Sequence, residues 1–187
     1  MKIFIKNMVC NRCITAVSNI FKEANVPIKS IHLGEVETEF AISEEHIQII
    51  EKHLLEIGFE RIKDSAIQLI EKIKKIIIVK VSDLDIAEDF LLSEFLSLQL
   101  HKDYSSLSKL FSQKEGITLE QFFILQKIEK TKELLLYNEY NVTEIAGKLG
   151  YKSVQYLSSQ FRNITGFSPT EFKKQKIHHR KPLDSLL

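Results

Sequence analysis

The sequence predicts two domains of different class, an α+β domain over residues 1–63 and an all-α domain over residues 64–176, followed by a basic tail at 177–187. Two observations lead to this division. Before Lys63, apolar and polar residues alternate in several short segments, as they do in half-buried β-strands. After Asp64, apolar residues recur every three or four positions, as they do in helices. With 187 residues, 44% of them apolar, the chain can form a core in each domain.

The expected elements of the first domain follow in the order β-α-β-β-α-β. Strands are expected at 2–6, 28–33, 35–41 and 59–62, with helices starting near Cys13 and after a capping Ser43. Val36, Thr38 and Phe40 alternate with glutamates, which predicts that they form the buried face of the third strand. In the second helix, the inward apolar stripe is expected to run from Ile47 to Ile57. This order predicts a ferredoxin-like fold, in which two helices cover one face of a four-stranded antiparallel sheet.

The second domain is expected to begin with a long helix. The four residues from Ile76 to Val79 would suit a strand by propensity alone. However, residues 65–81 contain neither Gly nor Pro, and Ile67, Ile70, Ile73 and Ile77 keep helical spacing. We therefore predict a helix here.

The strongest pattern in the chain is an internal repeat with a separation of 50 residues. Apolar, serine and glycine positions of the first copy recur in the second: Leu107, Ser108, Phe111, Gly116 and Phe122 match Leu157, Ser158, Phe161, Gly166 and Phe172. Each copy is expected to form a helix, a tight turn and a second helix, which in the second copy is expected over residues 151–163. Capping signals at Asn141 and Ser168 start further helices. The repeat therefore predicts two helix-turn-helix units.

The second helix of such a unit packs through one side and presents small or polar residues to base edges with the other. The expected outward residues are Ser105, Ser108, Lys109 and Ser112 in the first unit, and Gln155, Ser158, Ser159 and Arg162 in the second. Gln can read adenine, whereas Lys109 and Arg162 can meet guanine or phosphate. A polar helix face that is simply solvated is the alternative explanation. Because the net charge is only +1, any basic surface for DNA must be local.

Residues 142–162 and the following Thr165-Gly166-Phe167-Ser168-Pro169 closely resemble the signature of AraC-type transcriptional regulators. The resemblance covers roughly residues 65–176 and implies seven helices, with a linker helix at about 118–137 between two recognition helices. It implies double-stranded promoter or operator DNA and RNA polymerase as partners, with Ser105, Ser108, Lys109, Gln155 and Ser159 facing the bases. In the first unit, His101 and Lys102 stand where the second has the turn glycine Gly150 and Tyr151.

A Cys-x-x-Cys pair, Cys10 and Cys13, lies between the first strand and the first helix. In a reducing compartment such a pair is expected to bind metal or to be redox-active, although an inert pair stays open. Two thiolates suffice for Cu(I) or another soft ion, whereas structural zinc needs four ligands. The loop and its β-α-β-β-α-β setting resemble the heavy-metal-associated domains of copper chaperones and metal-pump tails, over nearly all of residues 1–63.

The sequence thus predicts a one-component regulator whose N-terminal domain senses a signal. The competing interpretations are a cytosolic metal-binding protein with a helical appendage and a thiol redox protein. Apart from the Cys pair there is no catalytic constellation, so we do not expect an enzyme. No apolar stretch approaches the ~20 residues of a membrane span and no signal peptide is evident, which predicts a cytoplasmic protein that contacts no membrane. The sequence leaves the oligomeric state open, and a homodimer is one alternative.

Overall fold

The computed structural model describes residues 1–174, so the predicted basic tail at 177–187 lies outside the described residues. The chain divides into two compact units between Lys75 and Ile76. This division falls inside a helix, Ser65–Ser82, and thus later along the chain than the expected boundary after Lys63.

The N-terminal unit contains a four-stranded sheet and two helices in the order β-α-β-β-α-β. The strands are β1 Lys2–Lys6, β2 Ile28–His32, β3 Glu35–Thr38 and β4 Glu60–Ile62, and the helices are α1 Asn11–Glu23 and α2 Glu44–Glu56. The strands lie in the order β2-β3-β1-β4, and every neighbouring pair is antiparallel. The central strand β1 therefore pairs with β3 on one side and with β4 on the other.

The core of this unit lies between one face of the sheet and the two helices. Ile3, Ile5 and Val36 point to the same side of their strands and are at most 2% exposed. They belong to one apolar cluster with Phe21 of α1 and Leu54 of α2, both fully buried. Because each such side chain stabilises the fold by about 1.5–3 kcal/mol when buried, this cluster accounts for the packing of both helices on the sheet.

Two predicted core positions are wrong. Phe40 is 70% exposed because β3 ends at Thr38, whose hydroxyl donates to the Phe40 carbonyl at 2.6 Å and so bends the chain away from the sheet. Ile57 is 49% exposed because α2 ends at Glu56, and Ile57 occupies the C-cap before Gly58 (φ +83°). In both places the apolar pattern continues past the end of the element.

The C-terminal helices of the described chain are α3 Ser65–Ser82, α4 Leu92–Leu100, α5 Tyr104–Glu115, α6 Leu119–Tyr137, α7 Val142–Lys148, α8 Val154–Thr165 and α9 Pro169–Lys174. The β-branched run from Ile76 to Val79 is helical, as predicted. Among the helices within residues 1–174, none is long and apolar enough to cross a membrane.

The helix starts of the second repeat depend on side-chain caps. Asn141 accepts from Glu144 N at 3.0 Å, and the Glu144 carboxylate accepts from Asn141 N at 2.7 Å, which forms the predicted capping box of α7. The start of α8 differs from the prediction. It begins at Val154 rather than near Tyr151, because Ser153 caps it by accepting from Tyr156 N at 3.1 Å.

The repeat is visible in the packing around α6, which contacts α5, α7, α8 and α9. In the first copy the Phe111 and Phe122 ring centroids lie 5.5 Å apart, and in the second Phe161 and Phe172 lie 5.5 Å apart. All four rings are at most 3% exposed. The same aromatic pair therefore holds the second helix of each unit.

Candidate nucleic-acid interface

Helices α5 and α8 have the same division into a buried and an outer side. Leu107 and Phe111 of α5, and Leu157 and Phe161 of α8, are at most 1% exposed. The eight predicted DNA-contacting residues recur at intervals of three and four, so each set of four shares one helix face. On these faces Ser105, Lys109, Gln155, Ser159 and Arg162 are exposed, whereas Ser108, Ser112 and Ser158 are half-buried.

The start of α5 carries a carboxylate that the sequence analysis missed. Asp103 caps the helix by accepting from Ser106 N at 3.0 Å, and the Ser105 and Ser106 hydroxyls donate to the same carboxylate oxygen. The Ser105 hydroxyl, followed by Ser106 N–H, holds the pKa of Asp103 below its usual value. Because Ser105 has a single hydroxyl hydrogen and donates it to Asp103, it can only accept toward a base. An Asp immediately before a helix is a recognisable cap signal.

The turn of the first unit, residues 101–103, contains no glycine. His101 adopts the left-handed conformation at φ +50°, and residues 101–103 are exposed. Beyond the turn, the Tyr104 hydroxyl donates to Glu120 of α6. This contact ties the first turn of α5 to the linker helix.

The turn of the second unit is covered by another part of the chain. Gly150 adopts φ +65°, and a Cβ there would lie 2.6 Å from Ile86 Cγ2 and 2.7 Å from the Ala87 carbonyl oxygen. Ile86 belongs to the connector between α3 and α4, and its N–H donates to Lys148 O at 3.1 Å. Glycine is thus required by both the backbone conformation and the close approach. The sequence predicted only the first requirement.

Tyr151 links this turn to α6 and α8. Its hydroxyl donates to Gln160 Oε1 at 2.7 Å, and the Lys127 ammonium lies 3.7 Å from its ring centroid. A second ring, Phe123, lies 5.3 Å from the same ammonium. Burial lowers the pKa of Lys127 to about 8, while the two ring faces favour the cation. Helical spacing alone would not have predicted a lysine in this interior position.

Exposed cations accompany α5, α8 and the turns before them: Lys102, Lys109, Lys114, Lys152 and Arg162. Asp103 is the exposed acid at the start of α5. Clustered positive side chains beside a polar helix face attract phosphate locally even where the net charge of the chain is only +1.

The cysteine pair of the N-terminal unit lies at the start of α1. Cys10 is the N-cap, Cys13 is in the first turn, and their Sγ atoms are 3.5 Å apart. Both side chains are half-buried. Partial burial raises the pKa of Cys10, but hydrogen bonds from the Cys13 backbone and side chain outweigh it, so the net pKa is lowered. Within residues 1–174, no group of three or more His, Cys, Asp or Glu residues could hold a metal ion.

Comparison with known proteins concerns the C-terminal part of the chain. Residues 96–175, which include both units, match the family described as "Helix-turn-helix domain". The xylose operon regulatory protein of Escherichia coli K12 is 32% identical over 69 residues, 37% of this chain and 18% of that protein. The HTH-type transcriptional activator RhaR of Mannheimia succiniciproducens is 28% identical over 92 residues, 49% of this chain and 33% of that protein.

A solved structure extends the match to the fold. The C-terminal domain of AraT, a response regulator from Geobacillus stearothermophilus, has 25% identity and a TM-score of 0.51, and the alignment covers 61% of this chain and 91% of that one. The chain spans a third or less of the length of the two curated relatives. These relatives are regulators rather than enzymes, in agreement with the sequence prediction. Residues 96–175 therefore form a helix-turn-helix domain that is similar in sequence and fold to domains of transcriptional regulators.

Proposed function

We propose that the protein is a sequence-specific transcriptional regulator that reads promoter or operator DNA with α5 and α8. The observation that carries this proposal is the pair of helices, each with a buried apolar side and a polar face at intervals of three and four, joined by α6. The names of the two curated relatives support a role in transcription. We further propose that the protein acts in the cytoplasm and contacts RNA polymerase at its promoters.

The two faces would read DNA with different chemistry. On α8, Gln155 can make a bidentate contact with adenine, and Arg162 can contact guanine or phosphate. On α5, Lys109 supplies a donor, whereas Ser105 offers only an acceptor, which suits the exocyclic amine of cytosine or adenine. A good base contact contributes about 1–3 kcal/mol of discrimination. With a net charge of +1, nonspecific attraction is modest, so tight binding requires both units together.

Selection of bound sequences from a random DNA pool, followed by fluorescence anisotropy at several salt concentrations, tests this function with the full chain. We expect a site of two unequal segments about 10 base pairs apart. An inverted or direct repeat of that site would indicate a homodimer. If no sequence is enriched, or if affinity does not fall as salt rises, the regulator assignment fails.

A matched pair of variants assigns the readout to α8. Gln155→Ala should weaken binding to the selected site by about tenfold and relax one base position. Gln48→Ala, a change at an exposed glutamine on α2, should leave affinity and preference unchanged. Arg162→Ala distinguishes its two roles, because loss of a phosphate contact weakens all sequences alike and lowers the salt slope by about one.

We also propose that the N-terminal unit is a ferredoxin-like sensor of the heavy-metal-associated type that binds a soft ion, such as Cu(I), through Cys10 and Cys13. The element order, the strand order β2-β3-β1-β4 and the position of the pair between β1 and α1 support this proposal. The two sulfurs are neighbours, 3.5 Å apart, and half-exposed, so a small increase in separation would let both bind one soft monovalent ion, whereas a structural zinc site needs four ligands.

Titration with Ag(I), a redox-stable soft ion, tests the sensor. The chain should take up a single ion in competition with a chelator, and Cys10→Ser and Cys13→Ser should each abolish uptake. Ser18→Ala, on the same helix, is the control and should bind as wild type does. Operator affinity should change with Ag(I) only where both cysteines are present. Oxidation to a disulfide without ion uptake would favour the redox interpretation, and no response at all would favour an inert pair.

A further inference from the structure

We propose that Ile86, which lies upstream of the matched residues 96–175, is a positioning residue that fixes the turn of the second helix-turn-helix unit and thereby the orientation of α8. This inference rests on the proposed function, since it explains how one of the two reading helices is held. It concerns the C-terminal unit alone.

The connector between α3 and α4 lies directly on the second turn. Ile86 is 4% exposed and forms a parallel β-bridge with Leu149, and its N–H donates to Lys148 O at 3.1 Å. Its Cγ2 would lie only 2.6 Å from a Cβ at Gly150. The contact is therefore closer than any side chain at Gly150 would allow, and a shift of Ile86 must shift the turn or leave a gap.

Tyr151, the residue after Gly150, connects the second turn to α8. Tyr151 is 5% exposed, its hydroxyl donates to Gln160 of α8 at 2.7 Å, and its ring centroid lies 6.0 Å from that of Tyr156. Gln160 and Tyr156 belong to the helix that carries the predicted base-facing residue Gln155. Ile86 thus acts on the reading face through Tyr151 rather than by touching DNA.

The other end of the connector is also held. The Phe90 ring lies 5.3 Å from Phe95 of α4 and 5.7 Å from Phe123 of α6, measured between centroids. From α3, Lys80 donates to the Asp85 carbonyl, and its ammonium lies 5.6 Å from the Phe90 ring centroid. The connector is thus packed against α4 and α6 at Phe90 and contacts the second turn at Ile86. It therefore forms a short, well-packed link between the end of α3 and the second turn.

The two units differ in this respect. In the first unit, the turn residues His101 and Lys102 are exposed, whereas their counterparts in the second unit are Gly150, which meets the connector, and Tyr151, which is buried. A change at Ile86 should therefore act on the DNA segment read by α8 and leave the segment read by α5 unchanged. A purely structural role would weaken both together.

The test uses the full chain and two DNA duplexes, the selected site and the same site with its α8 segment scrambled. Ile86→Ala should weaken binding to the selected site by about tenfold. On the scrambled duplex it should bind as wild type does. Ile86→Val, which keeps the branched shape, should restore selected-site affinity to within about threefold of wild type. Leu98→Ala, a change at a side chain that is 72% exposed, is the control and should alter neither affinity.

Circular dichroism establishes that each variant is folded at the assay temperature. If Ile86→Ala is unfolded, the test uses Ile86→Thr instead. Equal losses on both duplexes, or no loss on either, would overturn the positioning role while the regulator assignment stands. If the wild-type chain itself shows no sequence-selective binding, the proposed function fails and this inference fails with it.

Discussion

The contact at Gly150 makes a quantitative prediction about the stability of the C-terminal unit. In Gly150→Ala, a non-glycine residue would have to adopt φ +65°, which costs about 1 kcal/mol. The added Cβ would also lie 2.6 Å from Ile86 Cγ2 and 2.7 Å from the Ala87 carbonyl oxygen. Because one of these neighbours is backbone, the clash cannot be relieved by a rotamer change alone, and overpacking of this kind costs about 1–3 kcal/mol. The expected total is about 2–4 kcal/mol of unfolding free energy.

Gly166 provides the matched control. It has φ +83°, and a Cβ there would meet nothing within 4 Å, so Gly166→Ala should show only the backbone cost of about 1 kcal/mol. Urea denaturation followed by far-ultraviolet circular dichroism gives both values. Combining Ile86→Ala with Gly150→Ala should cost less than the sum of the two single changes, because the first removes one of the clashing atoms. Equal destabilisation by Gly150→Ala and Gly166→Ala would refute the close-approach argument.

Three further predictions follow from local contacts. Asn141→Ala should lower the unfolding free energy by about 1 kcal/mol in urea denaturation through loss of the α7 cap, whereas Asn163→Ala should change it by less than about 0.5 kcal/mol. Because the pKa of Lys127 is about 8 in the folded chain and 10.5 in the unfolded chain, the unfolded chain binds more protons at Lys127 between these pH values. The unfolding free energy should therefore rise by about 1–3 kcal/mol between about pH 8 and pH 10.5 through this residue. Lys127→Met should remove that rise in denaturation measured as a function of pH. In a repeated pool selection, Ser105→Ala should lose preference for a cytosine or adenine amine at one position, and an unchanged profile would contradict the acceptor role.

Local sequence signals were sufficient to predict a helix wherever its spacing was regular or a nearby side chain caps its first turn. Gly-free and Pro-free helical spacing was enough to predict α3, and the capping side chains at Asn141 and Ser43 marked the starts of α7 and α2 correctly. Periodicity was less informative about where elements stop. At Phe40 and Ile57 the apolar pattern continues, but hydrogen bonds beyond Thr38 and at the end of α2 divert the chain.

For the candidate interface, too, the sequence predicted some features and could not predict others. Helical spacing predicted that the eight polar residues of α5 and α8 lie on outer faces, because the opposite face of each helix has to bury its leucine and phenylalanine. Spacing could not show that the Asp103 carboxylate accepts the Ser105 hydroxyl hydrogen. It could not show, either, that Ser108, Ser112 and Ser158 are half-buried.

The sequence alone determined the class and order of the elements and the existence of two repeated units, since those depend on periodicity, capping and turn chemistry within a few residues. Only the tertiary structure decided that Ile86 lies against Gly150 and that Lys127 lies against the ring of Tyr151. Both contacts join residues far apart in the chain, and their geometry is set by how helices pack around α6. No local pattern encodes such a distance, because it depends on the volumes of all the side chains packed between those helices.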